Sequence, residues 1–170
     1  AVRDRVYSAL TREYGNKKEV VQHFYHKDTS VPIWAIFEVL TLGEFGNFYS
    51  CLSYGVRREV SIKLGFHQPS DSDAFLTKKI IFAIKELRNA VAHNDVIFDT
   101  RFSRSSIDKS LSSSLEIVTG IKSITFKSIT DYIILVVYLL KCFGVPKGDM
   151  RRFVAEFQDN IETLRTQIPT

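Results

Sequence analysis

Apolar residues return every three or four positions through most of this chain, which is the period of an amphipathic helix. The clearest stretch runs from about Ala74 to His93, where Leu76, Ile80, Ile84, Leu87 and Val91 form one stripe. The Pro69-Ser70-Asp71-Ser72-Asp73 cluster before it reads as a loop whose carboxylates suit the positive end of a helix dipole. Val2, Val6, Leu10 and Tyr14 predict a first helix over about Val2 to Tyr14, stopped by Gly15-Asn16. A short helix follows from about Lys18 to His26 and ends in the polar Lys27-Asp28-Thr29-Ser30 loop. Ser30 is placed to cap the next helix, with Pro32 in its first turn. Ile33, Trp34, Phe37, Leu40 and Thr41 carry the period until Gly43 ends it, and Trp34 is expected as a core anchor.

Phe45, Phe48, Tyr49 and Leu52 mark another helix, and Arg57 to Leu64 a short one ended by Gly65. Ser103 to Ser114 is serine-rich and reads as a flexible loop or a frayed helix start. The β-branched residues around Gly120, from Ile117 to Phe126, leave a short strand or a helix open. Two helices finish the chain, about Ile129 to Phe143 and about Lys147 to Gln167, separated by Gly144-Val145-Pro146. The most apolar run, Tyr132 to Leu140, is about half the length of a membrane span and Lys141 closes it, so it is read as a core helix. There is neither an internal repeat nor an alternation of strands with helices, which predicts an all-α fold. The 170 residues suit a single domain. No signal peptide is expected, and the opening Ala1-Val2-Arg3-Asp4 already reads as helix, which suggests a trimmed N-terminus.

Composition narrows the class. The chain is 45% apolar and 25% charged, as globular domains are, with a net charge of +4. That balance admits a polyanionic partner but falls well below the charge density of a DNA-coating protein. Cys51 and Cys142 sit far apart in apolar stretches without a Cys-x-x-Cys pair. They are expected to be small buried hydrophobes of a protein in a reducing cytoplasm. His23 and His26 are three residues apart but lack an evident third metal ligand, and His67 has no partner in sequence. No metal or other cofactor is expected: there is no glycine-rich phosphate loop, no Ser/His/Asp arrangement and no usable pair of carboxylates.

The chemistry concentrates in Arg88-Asn89-Ala90-Val91-Ala92-His93. On an ideal helix of about 100° per residue, Phe75, Phe82, Asn89 and His93 share a second face, opposite the apolar stripe. That face needs cover, either from the monomer's own core or from a symmetry mate. Arg88 projects about 140° from His93, so the two converge only if the helix end swings the imidazole or a partner subunit supplies the second group. Asn89 shares a face with His93 and can hold its ring. A histidine near a helix C-terminus and an always-charged planar guanidinium are the groups that RNA cleavage needs: a base for the 2′-hydroxyl and a cation for the phosphorane. One histidine cannot be base and acid in the same step, whereas two copies across a two-fold axis can divide the roles. Arg57-Arg58, Lys78-Lys79, Arg101, Arg104 and Arg151-Arg152 are candidates to track an RNA backbone.

Val31-Pro32-Ile33-Trp34-Ala35-Ile36-Phe37-Glu38-Val39-Leu40-Thr41-Leu42-Gly43, followed by Leu87-Arg88-Asn89-Ala90-Val91-Ala92-His93, resembles the bacterial Abi-like (abortive infection) family. There a "PiWaifEvltfG" segment precedes an "lRNxxAHh" segment. The chain's opening and its Gln22-His23-Phe24-Tyr25 stretch are similar too, so the resemblance covers most of the chain. It implies a HEPN-like helical bundle, commonly a homodimer, and a metal-independent ribonuclease acting in phage resistance or as a growth-arresting toxin. By position it implies Arg88 and His93 as the catalytic pair, Asn89 as the polar residue beside them and Glu38 at an acidic position of unassigned role. RNA as substrate, an antitoxin protein or RNA as partner, and a bacterial cytoplasm without membrane contact are implied as well. Asn94 stands where members often carry a second histidine, Asp95 to Arg101 departs from their basic-aromatic run, and the family's N-terminal third is missing. The contrasting expectation is a non-catalytic helical module that binds RNA or a protein through the same dimer face.

Overall fold

The computed structural model describes residues 2–66, 71–95, 97 and 107–167. Among them are nine α-helices and no strand. They are α1 (Val2–Gly15), α2 (Glu19–His26), α3 (Ile33–Val39), α4 (Leu42–Ser50), α5 (Tyr54–Lys63), α6 (Leu76–Ala92), α7 (Lys109–Thr119), α8 (Ile129–Cys142) and α9 (Lys147–Gln167). The all-α expectation holds. None of these helices is long and apolar enough to cross a membrane.

Helix α6 is the axis of the fold because two of its faces are used. One carries Leu76, Ile80 and Ala83 into the main core, against Leu111 and Leu115 of α7 and Tyr132 and Leu135 of α8. The segment between α7 and α8 is neither helix nor strand. Gly120 ends α7 in the left-handed conformation, and the linker drops Ile124 and Phe126 into the same core. Phe126 meets Tyr132 edge-on, with 5.0 Å between ring centroids.

The other face of α6 packs on α4, the most extensive helix pairing in the molecule. The two run antiparallel. A Cβ built on Gly46 would lie 2.8 Å from the Phe82 ring, and one on Gly43 would lie 3.3 Å from Cδ of Lys85. Only a residue without a side chain lets α4 approach this closely at position 46. Phe82 is therefore covered within the monomer. Phe75 is covered too, by the Arg57 guanidinium 4.1 Å from its ring centroid. A smaller buried set, Ala9, Val21, Ala35 and Val39, joins α1, α2 and α3. Helix α9 packs on α8 and has no buried residue, although its half-buried Phe157 touches the core.

Several expected boundaries move, each for a local reason. The third helix ends at Val39 rather than Gly43, because Thr41 starts a new helix. Its side chain accepts from the Glu44 amide at 3.2 Å, and its own amide donates to the Glu44 carboxylate at 2.8 Å. Gly43 thus lies inside α4. Ser30 does not cap α3, whose N-cap is Pro32. The serine-rich stretch is helical from Lys109 onward, started by the Asp108 carboxylate accepting from the Ser110 amide at 2.8 Å. Trp34 is 54% exposed and leans edge-on against Phe24 instead of anchoring the core. Val91, the last residue of the apolar stripe, is 57% exposed, and it is its neighbour Ala90 that is buried at this turn of α6. Cys51 is exposed just past the end of α4, not buried, while Cys142 is half-buried against the Gly65 carbonyl.

Candidate active site at the end of helix α6

Helix α6 stops by a backbone device. The amide of Asn94 donates to the carbonyl of Val91 at 3.3 Å, and that of Asp95 to the carbonyl of Ala90 at 2.9 Å. This paired closure requires a left-handed residue just past the cap, and Asn94 supplies it with φ 54°. Asparagine is, after glycine, among the residues that enter this region at least cost. Asn94 therefore has a structural task of its own at the place where a second histidine was the family expectation. His93 becomes the C-cap, with φ −102° and ψ 7°, outside the helical spiral.

The imidazole of His93 is exposed, and its side chain makes no hydrogen bond or ring contact among the described residues. Arg88, one and a half turns earlier, is exposed as well and forms no ion pair there. Its Nη1 donates to Oδ1 of Asn89 at 3.1 Å. Asn89 thus steadies the guanidinium, whereas the sequence had suggested that it holds the imidazole ring. The structure brings Arg88 and Asn89 together and leaves His93 separate from both side chains. The carbonyl end of α6 is the negative end of the helix dipole, which favours a cation at that position.

Glu38 is exposed on α3 and makes no side-chain hydrogen bond or ion pair among the described residues. The acid engaged near this junction is Glu44. It pairs with Nη1 of Arg12 at 2.8 Å, and Nη2 of Arg12 reaches the Val39 carbonyl at 3.2 Å, so one guanidinium closes the α3–α4 corner. Its hydrogen bond from Arg12, above all, holds the Glu44 carboxyl down to about 2, and the same contacts raise the Arg12 guanidinium. The Thr-x-x-Glu spacing was the signal for this corner. The antiparallel register of α4 on α6 carries the corner toward the turn of α6 that holds Arg88.

The basic candidates divide. Arg57 is spent on structure, donating to the carbonyls of Leu52 and Asp73. Lys79 donates to Ser110 at 2.7 Å and pairs with Asp108 at 3.5 Å, tying α6 to α7. Lys78 lies over the Phe75 and Phe82 rings. Arg152 pairs with Asp149 at 3.2 Å, while Arg58 and Arg151 stand in solvent. His67, Arg101 and Arg104 lie outside the described residues. His23 and His26 are exposed, and no group of three or more His, Cys, Asp or Glu side chains gathers among the described residues.

Among the described residues, the end of α6 thus offers an exposed guanidinium without an ion pair and an exposed imidazole just past a backbone cap. A family model described as Abi-like protein matches residues 2–99, just over half the chain. The match spans α1 to α6 and includes Glu38, Arg88, Asn89 and His93. Neither the curated proteins nor the solved structures yield a match.

Proposed function

The chain belongs to the Abi-like protein family, and from that membership we propose that it is a phage-defence protein, acting by abortive infection or growth arrest, that cleaves RNA without a metal. Membership suggests the biological setting. The reading of the chemistry rests on one observation: at the capped end of α6, Arg88 and His93 stand exposed and, among the described residues, uncommitted to any carboxylate. In this reading His93 moves the proton of the ribose 2′-hydroxyl. The oxygen attacks the adjacent phosphorus, the P–O5′ bond breaks, and a 2′,3′-cyclic phosphate and a 5′-hydroxyl remain. Arg88 neutralises the charge that builds on the phosphorane, its fork held by Asn89.

Arg88 and His93 are five residues apart on one helix and share no contact, so the full site is proposed to form in a homodimer. There each copy contributes its α6 end, one imidazole serving as base and the other as acid. At that end Arg88, Val91, Ala92 and the capping His93 are all exposed, with Val91 at 57%, and Asn89 is half-buried. A bacterial cytoplasm and an antitoxin protein or RNA belong to the same proposal.

The separation of the two side chains within one chain also favours a second reading, a helical module that binds RNA or a protein without cutting. Purified protein with single-stranded RNA, with and without EDTA, decides between them. The expected result is cleavage that survives EDTA, leaves cyclic phosphate ends and disappears in His93→Ala and Arg88→Ala. RNA binding without cleavage in wild type, or cleavage by His93→Ala at the wild-type rate, overturns the ribonuclease reading.

A further inference from the structure

A large apolar concavity lies elsewhere, with no residue of α6 in its lining. It is a groove of about 1190 Å³ between α8 and α9, closed at one end by Val118 and Ile121 at the C-terminus of α7. It lies in the part of the chain beyond residue 99, outside the family match. Ile133 and Val137 of α8 form one wall and Val154 and Ile161 of α9 the other. Helix α9 repeats apolar residues at Met150, Val154, Phe157, Ile161 and Leu164, the three-to-four spacing of a helix that seats another helix. Yet not one residue of its 21 is buried. Ile121, beside the groove, is 46% exposed and Leu164 36%. An apolar trough of this size left open to water marks an interaction surface.

The rim says what kind of partner fits. Lys141, Lys147 and Arg151 border the groove and make no ion pair among the described residues. The remaining rim cation, Arg165, is offset by Glu162 at 3.2 Å. Among the described residues, three positive charges without an ion pair therefore gather toward the α8–α9 turn, beside an apolar floor. The same groove of a second copy brings no free carboxylate to meet them, since Glu162 is held by Arg165, so groove-to-groove pairing of this chain is disfavoured. A phosphate backbone would meet the rim but would leave the aliphatic floor uncovered. We propose that the α8–α9 groove is the docking site for an acidic amphipathic helix of a partner protein, its apolar edge on Val137 and Val154 and its carboxylates toward Lys141, Lys147 and Arg151. The α8 wall spans about thirteen residues, from Ile129 to Lys141, long enough for roughly three to four turns of such a helix.

The test uses the whole chain and a fluorescently labelled 18-residue peptide with leucine at i, i+4, i+7 and i+11 and glutamate elsewhere on its polar face. Its twin carries lysine at every glutamate. The expected result is saturable one-to-one binding of the acidic peptide, at least about tenfold tighter than its twin and weakened by salt. Lys147→Glu with Arg151→Glu, both at exposed positions, should reduce binding by about tenfold or more with an unchanged melting temperature. Val137→Asp should abolish it, with circular dichroism showing that the helices persist. Equal binding of both peptides, no binding of either, or a homodimer in sedimentation that the Val137→Asp variant dissociates would each overturn the proposal. Failure of RNA cleavage leaves this result untouched, since none of these residues lies at the α6 end.

Discussion

The two ends of helix α6 are built in opposite ways. At its start the first free amides are gripped by carboxylates: Asp71 accepts from Phe75 at 3.0 Å and from Leu76 at 3.1 Å, and Asp73 accepts from Phe75 at 3.1 Å. Around that end the Tyr49 hydroxyl sits 2.9 Å from the Arg57 carbonyl and 3.1 Å from that of Ala74. Arg57 covers Phe75, and Ala74 is held at φ 55°, a left-handed conformation that an alanine adopts only under constraint. At its finish the helix is closed by two backbone hydrogen bonds, and the Arg88 and His93 side chains are exposed. The buried end fixes where the helix points; the open end is then free to carry groups that stabilise nothing. Residues kept without a structural task are those available for chemistry.

That contrast predicts a separation of effects. His93→Ala should reduce RNA cleavage by at least about 10²-fold, as expected for loss of a general acid–base group, while shifting stability by less than about 0.5 kcal/mol. Arg88→Ala should behave alike, and Arg88→Lys should rescue little because the ammonium lacks the planar fork. Thermal melts beside a cleavage assay check both. A His93→Ala variant that loses activity only because it unfolds would erase the distinction between the two ends.

Asp71→Ala is the mirror image. It removes acceptors from two helix-start amides, one of them buried, and should cost about 2 kcal/mol in a denaturant titration. Burial, more than any other influence, raises the Asp71 carboxyl from its usual value, so its charge is itself costly there. Asp71→Asn keeps one acceptor oxygen without that charge and should cost clearly less than the alanine variant. Equal losses in the two variants would mean that the carboxylate's charge, rather than its acceptors, secures this end.

Smaller in effect, and tied to pH, is the corner that leads from α3 into α4. The Glu44 carboxyl ionises near 2 in the fold against its usual 4.5. Its pair with Arg12 therefore stabilises fully above about pH 4.5, and the contribution drains away as pH falls from there through 2. Because Arg12 is 40% exposed at the pair, solvent screening reduces the contribution to about 1 kcal/mol. Unfolding titrations of wild type and Glu44→Gln should differ by that amount at pH 7 and converge near pH 2. A constant difference across the range would detach the effect from ionisation.

These contacts show how far the chain could be read without coordinates. The α6 stripe, the carboxylates before it and the helical class were legible, because a 3.6-residue period and a cap need only neighbours in sequence. Glu44 is legible in principle through Thr41-x-x-Glu44, yet Gly43 between them reads as a stop, although glycine also serves where two helices approach closely. The exposure of Trp34 and Val91 was not legible, since the same apolar residue suits a core or an uncovered face and only the packing of α2, α3 and α6 decides. Arg88, Asn89 and His93 were located by their place in a family pattern. Their partners were beyond reach, because helical angles describe directions while the Arg88–Asn89 hydrogen bond depends on rotamers.

The finest division between the two ends lies at Asn94, where structure and chemistry meet. Its φ of 54° suits glycine best and asparagine well, while a β-carbon without a polar group has no compensation there. Asn94→Gly should leave stability within a few tenths of a kcal/mol of wild type, and Asn94→Ala should cost about 1 kcal/mol or less. If the cap serves only the helix, cleavage in Asn94→Ala should track the fraction folded. If it also aims His93, kcat should fall further than folding explains while KM stays near its wild-type value, since RNA binding does not need the imidazole in its reacting position. Asn94→Gly, which preserves the backbone, should then recover the lost kcat, and failure to recover it would leave the cap a terminator and nothing more.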